Sequence, residues 1–300
     1  MRTLRRFPDW LRRSLPENTT QRTRAILSKY ELNTVCRAAM CPNSHECYAQ
    51  DTATFMILGG VCTRRCGFCA VPTGTGERLR NDEPERVAFA AKELGLRYVV
   101  VTSVTRDDLA DEGASHYAST VRALKREIPA SQVEVLTPDF HSREELLRCV
   151  IDAGPEVFNH NLETVERLQR VVRPQANYQC SLKTLEIAKR LAPERITKSG
   201  LMLGLGETIP EILETGRHLL SAGVSMMTLG QYLQPTPQSL GVQEYVTPEK
   251  FHDLTRKLIA LGFKKVLAGA YVRSSYHARE TFSGLGEART CGNSETCTGI

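Results

Sequence analysis

From residue 54 onward the chain alternates between two periodicities. Short apolar runs, TFMILGG (54–60), YVVVTSV (98–104), VEVLTPDF (133–140), VFNHNLE (157–163), KSGLMLGL (198–205) and SMMTLGQYLQ (225–234), have the length and composition of buried strands. Between them lie stretches with helical periodicity. EPERVAFAAKEL (83–94) follows Asp82 as N-cap, with Glu85 placed as in a capping box, and SREELLRCVIDA (142–153) repeats that signature with Ser142 and Glu145. IPEILETGRHLLSAG (209–223) starts near Pro210 and stops at Gly223. Strand and helix in alternation predict a parallel sheet with helical crossovers. The fold class is α/β, and six such units fit a partial (β/α)6 TIM-like barrel, with a doubly wound open sheet as the competing arrangement. In either, functional residues gather where strands end and βα loops begin.

The flanks divide the rest. Residues 1–50 form an Arg- and Cys-bearing N-terminal extension, 51–240 the barrel, 241–280 a C-terminal extension containing one more helix and apolar run, and 281–300 a small, polar stretch that reads as a disordered tail. With 41% hydrophobic and 24% charged residues the composition is that of a soluble globular protein. No apolar run approaches the roughly 20 residues that span a bilayer, so no membrane partner is expected. The net charge of +5 is mild and calls for no nucleic acid. The basic start has no apolar signal core. It suits a cytoplasmic chain, with an organellar transit peptide as the alternative.

Cysteine usage changes this picture. Six of the ten cysteines fall between Cys36 and Cys69, and crowding of this kind in a chain without an export signal suggests metal or redox work. Cys62, Cys66 and Cys69 follow the first strand as C-x3-C-x2-C, in the first βα loop. Three thiolates can hold three irons of a [4Fe–4S] cluster and leave the fourth open to a substrate; the alternative is a zinc site with its fourth ligand elsewhere. Cys36, Cys41 and Cys47 form a second triplet, C-x4-C-x5-C, with His45 as a conceivable fourth zinc ligand. Two adjacent triplets more naturally imply two clusters.

C-x3-C-aromatic-C in a first βα loop, with Phe68 as the aromatic, resembles the radical S-adenosylmethionine (SAM) superfamily. GLMLGLGE, Gly200 to Glu207, is similar to that superfamily's glycine-rich element on the fifth strand. The resemblance implies that the open iron chelates SAM, whose reductive cleavage yields a hydrogen-abstracting radical, and that Phe68 and Gly204 approach the adenine. The two triplets together, with RSSYHA at Arg273 to Ala278, resemble the lipoyl synthase family from about Pro8 to Glu280. That resemblance implies two [4Fe–4S] clusters and SAM, with Ser275 as an oxygen ligand of the second, auxiliary cluster. It also implies insertion of sulfur at C6 and C8 of a protein-bound octanoyl-lysine chain, with the auxiliary cluster as sulfur donor. The implied partners are octanoylated lipoyl carrier domains (2-oxoacid dehydrogenase acyltransferase subunits and the glycine cleavage H protein) and an electron donor such as ferredoxin or flavodoxin.

Polar residues at strand ends supply the remaining candidates. Thr102, Asn159, Glu163 and Lys198 are placed to touch SAM, with Asn161 and Ser199 beside them. Arg106, Asp107 and Asp108 read as an internal ion-pair cluster, and His160 and His277 as structural histidines. Cys149 and Cys180 fall in helical stretches and read as buried apolar residues, while Cys291 and Cys297 match no family element. The competing readings are another radical SAM sulfur inserter, such as a biotin synthase or methylthiotransferase type, and a zinc-binding nucleic-acid module.

Overall fold

A computed structural model describes residues 7–12, 20–50, 52–276, Ala278 and the backbone of 289–290. Seven strands run parallel: β1 (Thr54–Ile57), β2 (Tyr98–Ser103), β3 (Gln132–Leu136), β4 (Val157–Asn159), β5 (Ile196–Leu203), β6 (Met226–Gln231) and β7 (Lys265–Gly269). They pair in sequence order and the sheet does not close on itself. Asn33–Thr34 adds an antiparallel rung beside β1, and Arg289–Thr290 a parallel rung beside β7. Six helices make the crossovers: α1 (Glu83–Glu93), α2 (Ala114–Glu127), α3 (Glu144–Ile151), α4 (Tyr178–Leu191), α5 (Ile209–Ser221) and α6 (Pro248–Leu261). The partial barrel expected from the alternation is therefore present, and the apolar run assigned to the C-terminal extension continues it as a seventh strand.

Side-chain alternation decides what each strand face does. Val99, Val101, Val133, Val135, Phe158, Leu201, Leu203, Met227 and Leu229 face the helices and form the cores with them. Leu124, Leu147 and Leu185 are fully buried there, each contributing about 1.5–3 kcal/mol by burial. The alternate positions, among them Tyr98, Thr102, Glu134, Asn159, Lys198, Gly200 and Thr228, face the barrel interior. Glu134, Asn159 and Lys198 are almost wholly buried there. A polar interior of this kind survives only if its groups satisfy one another.

Two predicted caps do not form. Asp82 makes no side-chain cap to α1 and instead pairs with Arg80 and Arg86. Helix α3 starts later than Ser142 suggests. Phe140, His141 and Ser142 all adopt left-handed φ values of 44°, 46° and 56°, and the Ser142 hydroxyl donates to the Cys180 carbonyl at 2.8 Å. The capping box that does form, Thr208 with Glu211 at the start of α5, went unread. The Arg-rich positions 2–6, His277, Cys291, Cys297 and the expected tail, apart from the 289–290 rung, lie outside the described residues.

Candidate active site between two cysteine triplets

Cys62, Cys66 and Cys69 occupy the loop after β1, at the end of the barrel where the parallel strands terminate. Backbone pairing holds the loop from several sides. Cys62 N–H donates to the Pro72 carbonyl at 2.8 Å, Gly67 N–H to Val172 at 2.9 Å, and Leu240 N–H to Gly67 at 2.8 Å. Backbone amides also point at the sulfurs. Thr105 and Arg64 N–H lie 3.3 and 3.4 Å from Cys62 Sγ, and Val71 N–H lies 3.4 Å from Cys69 Sγ. Donors of this kind stabilise thiolates in iron–sulfur centres.

The second triplet lies on the N-terminal extension. Thr34 caps a short helix, Val35–Ala38, that carries Cys36, while Cys47 sits in Ser44–Ala49. The C-terminal extension is sewn to this segment. Asn43 Nδ2 donates to the Tyr271 carbonyl at 2.7 Å, Tyr271 hydroxyl to the Leu11 carbonyl at 2.6 Å, and Tyr276 hydroxyl to Glu46 Oε1 at 2.9 Å. Ser275 thereby shares one cavity with Cys36, Cys41 and Cys47.

A cavity of about 410 Å³ lies between the two triplets. Its lining includes Cys36, Cys41 and Cys47 of the second triplet, Phe68 and Cys69 from the loop of the first, and Ser274 and Ser275. Val35, Ala39, Met40, Leu233 and Val272 supply apolar wall. Two glycines let the pieces meet. A Cβ at Gly230 would stand 2.1 Å from the Val272 carbonyl oxygen, and one at Gly200 would stand 2.4 Å from Thr228 Oγ1 and 3.3 Å from Ser274 Oγ.

The thiols suit a polynuclear cluster better than a single ion. Burial pushes Cys36 up to about 11 and Cys66 up to about 12, and raises Cys47 and Cys69 as well. Within each triplet the cysteines raise one another further by charge repulsion, while Arg173 opposes the rise at Cys66. Binding to a cationic metal core relieves both penalties. Two thiolates on one zinc lie at most about 4.6 Å apart, from Zn–S bonds of about 2.3 Å. Among the described residues, the set with all donor atoms within 4.8 Å of one another is Asp107, Glu112 and His141, and neither cysteine triplet meets that limit, with or without His45. Asp107 in that set is already taken by the Arg64 guanidinium, which also lies 3.4 Å from His141 Nε2.

The cofactor candidates divide. Phe68, Glu163 and Asn161 line the cavity. Glu163 sits at the end of β4 with a left-handed φ of 67°, locked by backbone bonds to Gly200 and Met202; burial raises its carboxyl and the Arg173 charge opposes this. Thr102, Asn159, Lys198 and Gly204 are placed elsewhere. Thr102 Oγ1 donates to the Leu136 carbonyl at 3.0 Å. Asn159 donates to Glu134 at 2.8 Å, and Lys198 forms a buried ion pair with the same carboxylate at 2.9 Å. Gly204, at φ 99°, turns toward Gln231 and the Glu244 carbonyl, and Glu207 accepts from its N–H at 2.5 Å. None of these four residues lines the cavity, and the Asn159 Oδ1 is buried without a hydrogen-bond partner among the described residues.

Ser274 and Ser275 also separate. The Ser274 hydroxyl accepts from Asn161 Nδ2 at 2.6 Å, whereas the Ser275 hydroxyl has no hydrogen bond among the described residues and faces the cavity. Arg106 pairs with Asp108, as expected, but Asp107 turns to Arg64. His160 is buried, bonded at Nδ1 to the Thr137 carbonyl at 2.8 Å, and lowered to about 4 by burial. Cys149 and Cys180 are free thiols on α3 and α4, half-buried and not fully buried as their apolar reading predicts. Arg173 was missed. It is buried, donates to the Asn161 carbonyl at 3.1 Å, and brings positive charge to Cys66 and Glu163. Nothing in the local pattern VVRPQ distinguishes it from a surface arginine.

The pattern of the Radical SAM superfamily matches residues 56–219. The chain is 52% identical over 273 residues to a lipoyl synthase of Caldanaerobacter subterraneus subsp. tengcongensis, covering 91% of this chain and 96% of that one. It is 51% identical over 274 residues to a lipoyl synthase of Rubrobacter xylanophilus, covering 91% and 85%. Among solved structures it is similar to methylornithine synthase, with a TM-score of 0.57 at 16% identity over 84% of this chain and 76% of the other. A maturase of the [FeFe]-hydrogenase gives 0.57 at 13% identity over 91% and 69%. At such identities these structures speak to the fold alone.

Proposed function

Since the chain belongs to the lipoyl synthase family of the Radical SAM superfamily, we propose that the cavity between the triplets is the chamber in which its reaction takes place. The enzyme inserts two sulfur atoms into an octanoyl chain carried on a lysine of a lipoyl carrier protein, at C6 and C8, using SAM and two [4Fe–4S] clusters. In our assignment Cys62, Cys66 and Cys69 hold the cluster that binds SAM, and Cys36, Cys41, Cys47 and Ser275 hold the auxiliary one. When bound, these groups supply a hydrogen-abstracting radical on one side and sulfur on the other.

The chain's own residues do the placing. C6 and C8 of a fatty chain carry no acidic proton, so a general base has nothing to remove, and Glu163 and His160 need serve no such role. Reaction at these carbons depends on holding the chain still between two centres, and proximity of this kind is worth several kcal/mol of barrier. Val35, Ala39, Met40 and Val272 offer the acyl chain apolar surface in a cavity of a size usual for small-ligand pockets, roughly 300–1,000 Å³. Phe68 and Glu163, which line the cavity with Cys69, are assigned to SAM in this reading. A serine oxygen is a harder, more easily surrendered iron ligand than a thiolate, which suits a cluster that gives up sulfur.

The single observation supporting this reading is that one cavity is lined by Cys69 of the first triplet, all three cysteines of the second, and Ser275. Specific carriers belong to the same proposal: acyltransferase subunits of 2-oxoacid dehydrogenases and the glycine cleavage H protein, with ferredoxin or flavodoxin as electron donor. So does a cytoplasmic setting, which suits the eight described cysteines, all free thiols. The test is anaerobic turnover with SAM, a reductant and an octanoyl-lysyl carrier domain, read by mass spectrometry. Gain of two sulfur atoms by the carrier supports the reading. SAM cleavage with an unmodified octanoyl chain contradicts it.

A further inference from the structure

Lys198 is an unusual use of a lysine. Its side chain is 1% exposed, as is that of Glu134, with which it pairs at 2.9 and 3.2 Å. Tyr98 hydroxyl and Asn159 Nδ2 donate to the same carboxylate at 2.7 and 2.8 Å. The remaining Lys198 contact leaves this cluster: Nζ donates to the backbone carbonyl of Ser274 at 2.5 Å.

That carbonyl has a particular place. Tyr276 N–H donates to the Arg273 carbonyl at 3.0 Å, so residues 273–276 form a β-turn whose central peptide joins Ser274 to Ser275. Such a peptide has two settings. Flipping it exchanges type I for type II, moves the carbonyl to the opposite side and requires positive φ at the third residue. Ser275 is not among the residues with positive φ, and a serine resists that conformation. A charged donor fixed on the barrel wall reinforces the setting the serine already favours and fixes where its carbonyl points. Asn161 holds the Ser274 hydroxyl and Glu46 the Tyr276 hydroxyl, so the turn is pinned on both sides of Ser275 and its hydroxyl is left facing the cavity.

We infer that Lys198, held by Glu134, is a positioning residue for the auxiliary cluster: it locks the central peptide of the serine turn so that Ser275 presents its oxygen to the iron. The inference rests on the assignment of Ser275 as ligand. The interaction reaches 76 residues along the chain, from the fifth barrel strand to the C-terminal extension. It gives this buried lysine a task outside SAM binding.

The test uses full-length protein reconstituted anaerobically with ⁵⁷Fe and examined by Mössbauer spectroscopy. The variants are Lys198→Met, the charge-balanced double variant Glu134→Gln/Lys198→Met, and Ser275→Ala. Loss of a group that orients a metal ligand lowers metal affinity or activity about 10–100-fold. Both Lys198 variants should lose the oxygen-ligated iron signature of the auxiliary cluster as Ser275→Ala does, and sulfur inserted per SAM cleaved should fall by that factor. The spectral response of the first cluster to SAM should remain. If Ser275→Ala leaves the signature intact, the serine assignment itself fails. If Ser275→Ala removes it and the Lys198 variants keep it, this inference alone is overturned. Failure of the double variant to fold would also overturn it, because the pair would then be a strut of the barrel and not a local anchor of the turn.

Discussion

Arg64 lies between Cys62 and Cys66, and its guanidinium is the tether of their loop. Nε and Nη2 donate to Asp107 at 2.8 Å each, and Nη1 and Nη2 donate to Asp139 at 2.6 and 2.8 Å. The arginine side chain is 4% exposed and that of Asp139 2%. Burial pushes the Asp139 carboxyl up, but hydrogen bonds and charge from Arg64 outweigh it and hold its pKa well below the usual carboxylate range. Arg64→Met leaves that buried carboxylate without its counter-charge. Breaking a buried pair in this way costs about 3–5 kcal/mol. The pH dependence has a definite sign. In the parent protein a depressed folded pKa stabilises the fold above the unfolded value of about 3.9, and the contribution is lost only as pH falls through the folded value. In the variant the His141 N–H bond to Asp139 and the His160 charge still favour the carboxylate, but burial is the largest influence and raises the pKa above the unfolded value, so protonation relieves the cost as the solution is acidified. The stability gap between parent and variant should therefore narrow from pH 7 to pH 5, by at most about 1.4 kcal/mol per pH unit. Urea unfolding of cluster-free protein at the two pH values measures it. A gap below about 1 kcal/mol, equal at both pH values, would refute the tether.

Three further outcomes are expected. Cys66→Ala should lose the first cluster and with it SAM cleavage, and continued 5′-deoxyadenosine formation on chromatographic assay would remove that cysteine from the first site. Cys41→Ala should retain SAM cleavage and stop sulfur insertion; a thiolated carrier from this variant, detected by mass spectrometry, counts against the auxiliary role. Gly230→Ala places a methyl against the Val272 carbonyl, so it should destabilise the fold by about 1–3 kcal/mol and displace the serine turn. An unchanged urea midpoint with unchanged turnover would show that the close approach at Gly230 is not needed.

Much of this arrangement was legible in the chain because certain residue types carry their chemistry with them. Six cysteines in two spaced triplets announce metal work, which the family resemblance narrows to iron–sulfur, and strand runs such as YVVVTSV announce themselves by their β-branched apolar residues. Lys198 illustrates what stays hidden. At a strand end it reads as a cofactor contact, and its partner Glu134 is 64 residues away, so only the folded barrel shows that its charge is already matched. Thr102 and Asn159 share that ambiguity: each donates a hydrogen bond within the barrel, as a polar residue there does whether or not it also meets a ligand. Ser142 failed differently. A serine three residues before a glutamate is a cap only if it enters the helix from extended backbone, and here Ser142 is itself the last of three left-handed residues. That turn places Asp139 against Arg64 and the first triplet's loop, a contact no local pattern encodes.

Metal and sulfide analysis of protein prepared without oxygen tests the central claim most directly, since the whole account requires two cages facing one chamber. The predicted result is about eight irons and eight sulfides per chain, as two [4Fe–4S] clusters demand, falling to about half in either Cys66→Ala or Cys41→Ala. Zinc in place of iron, or four irons with all six cysteines intact, would contradict it.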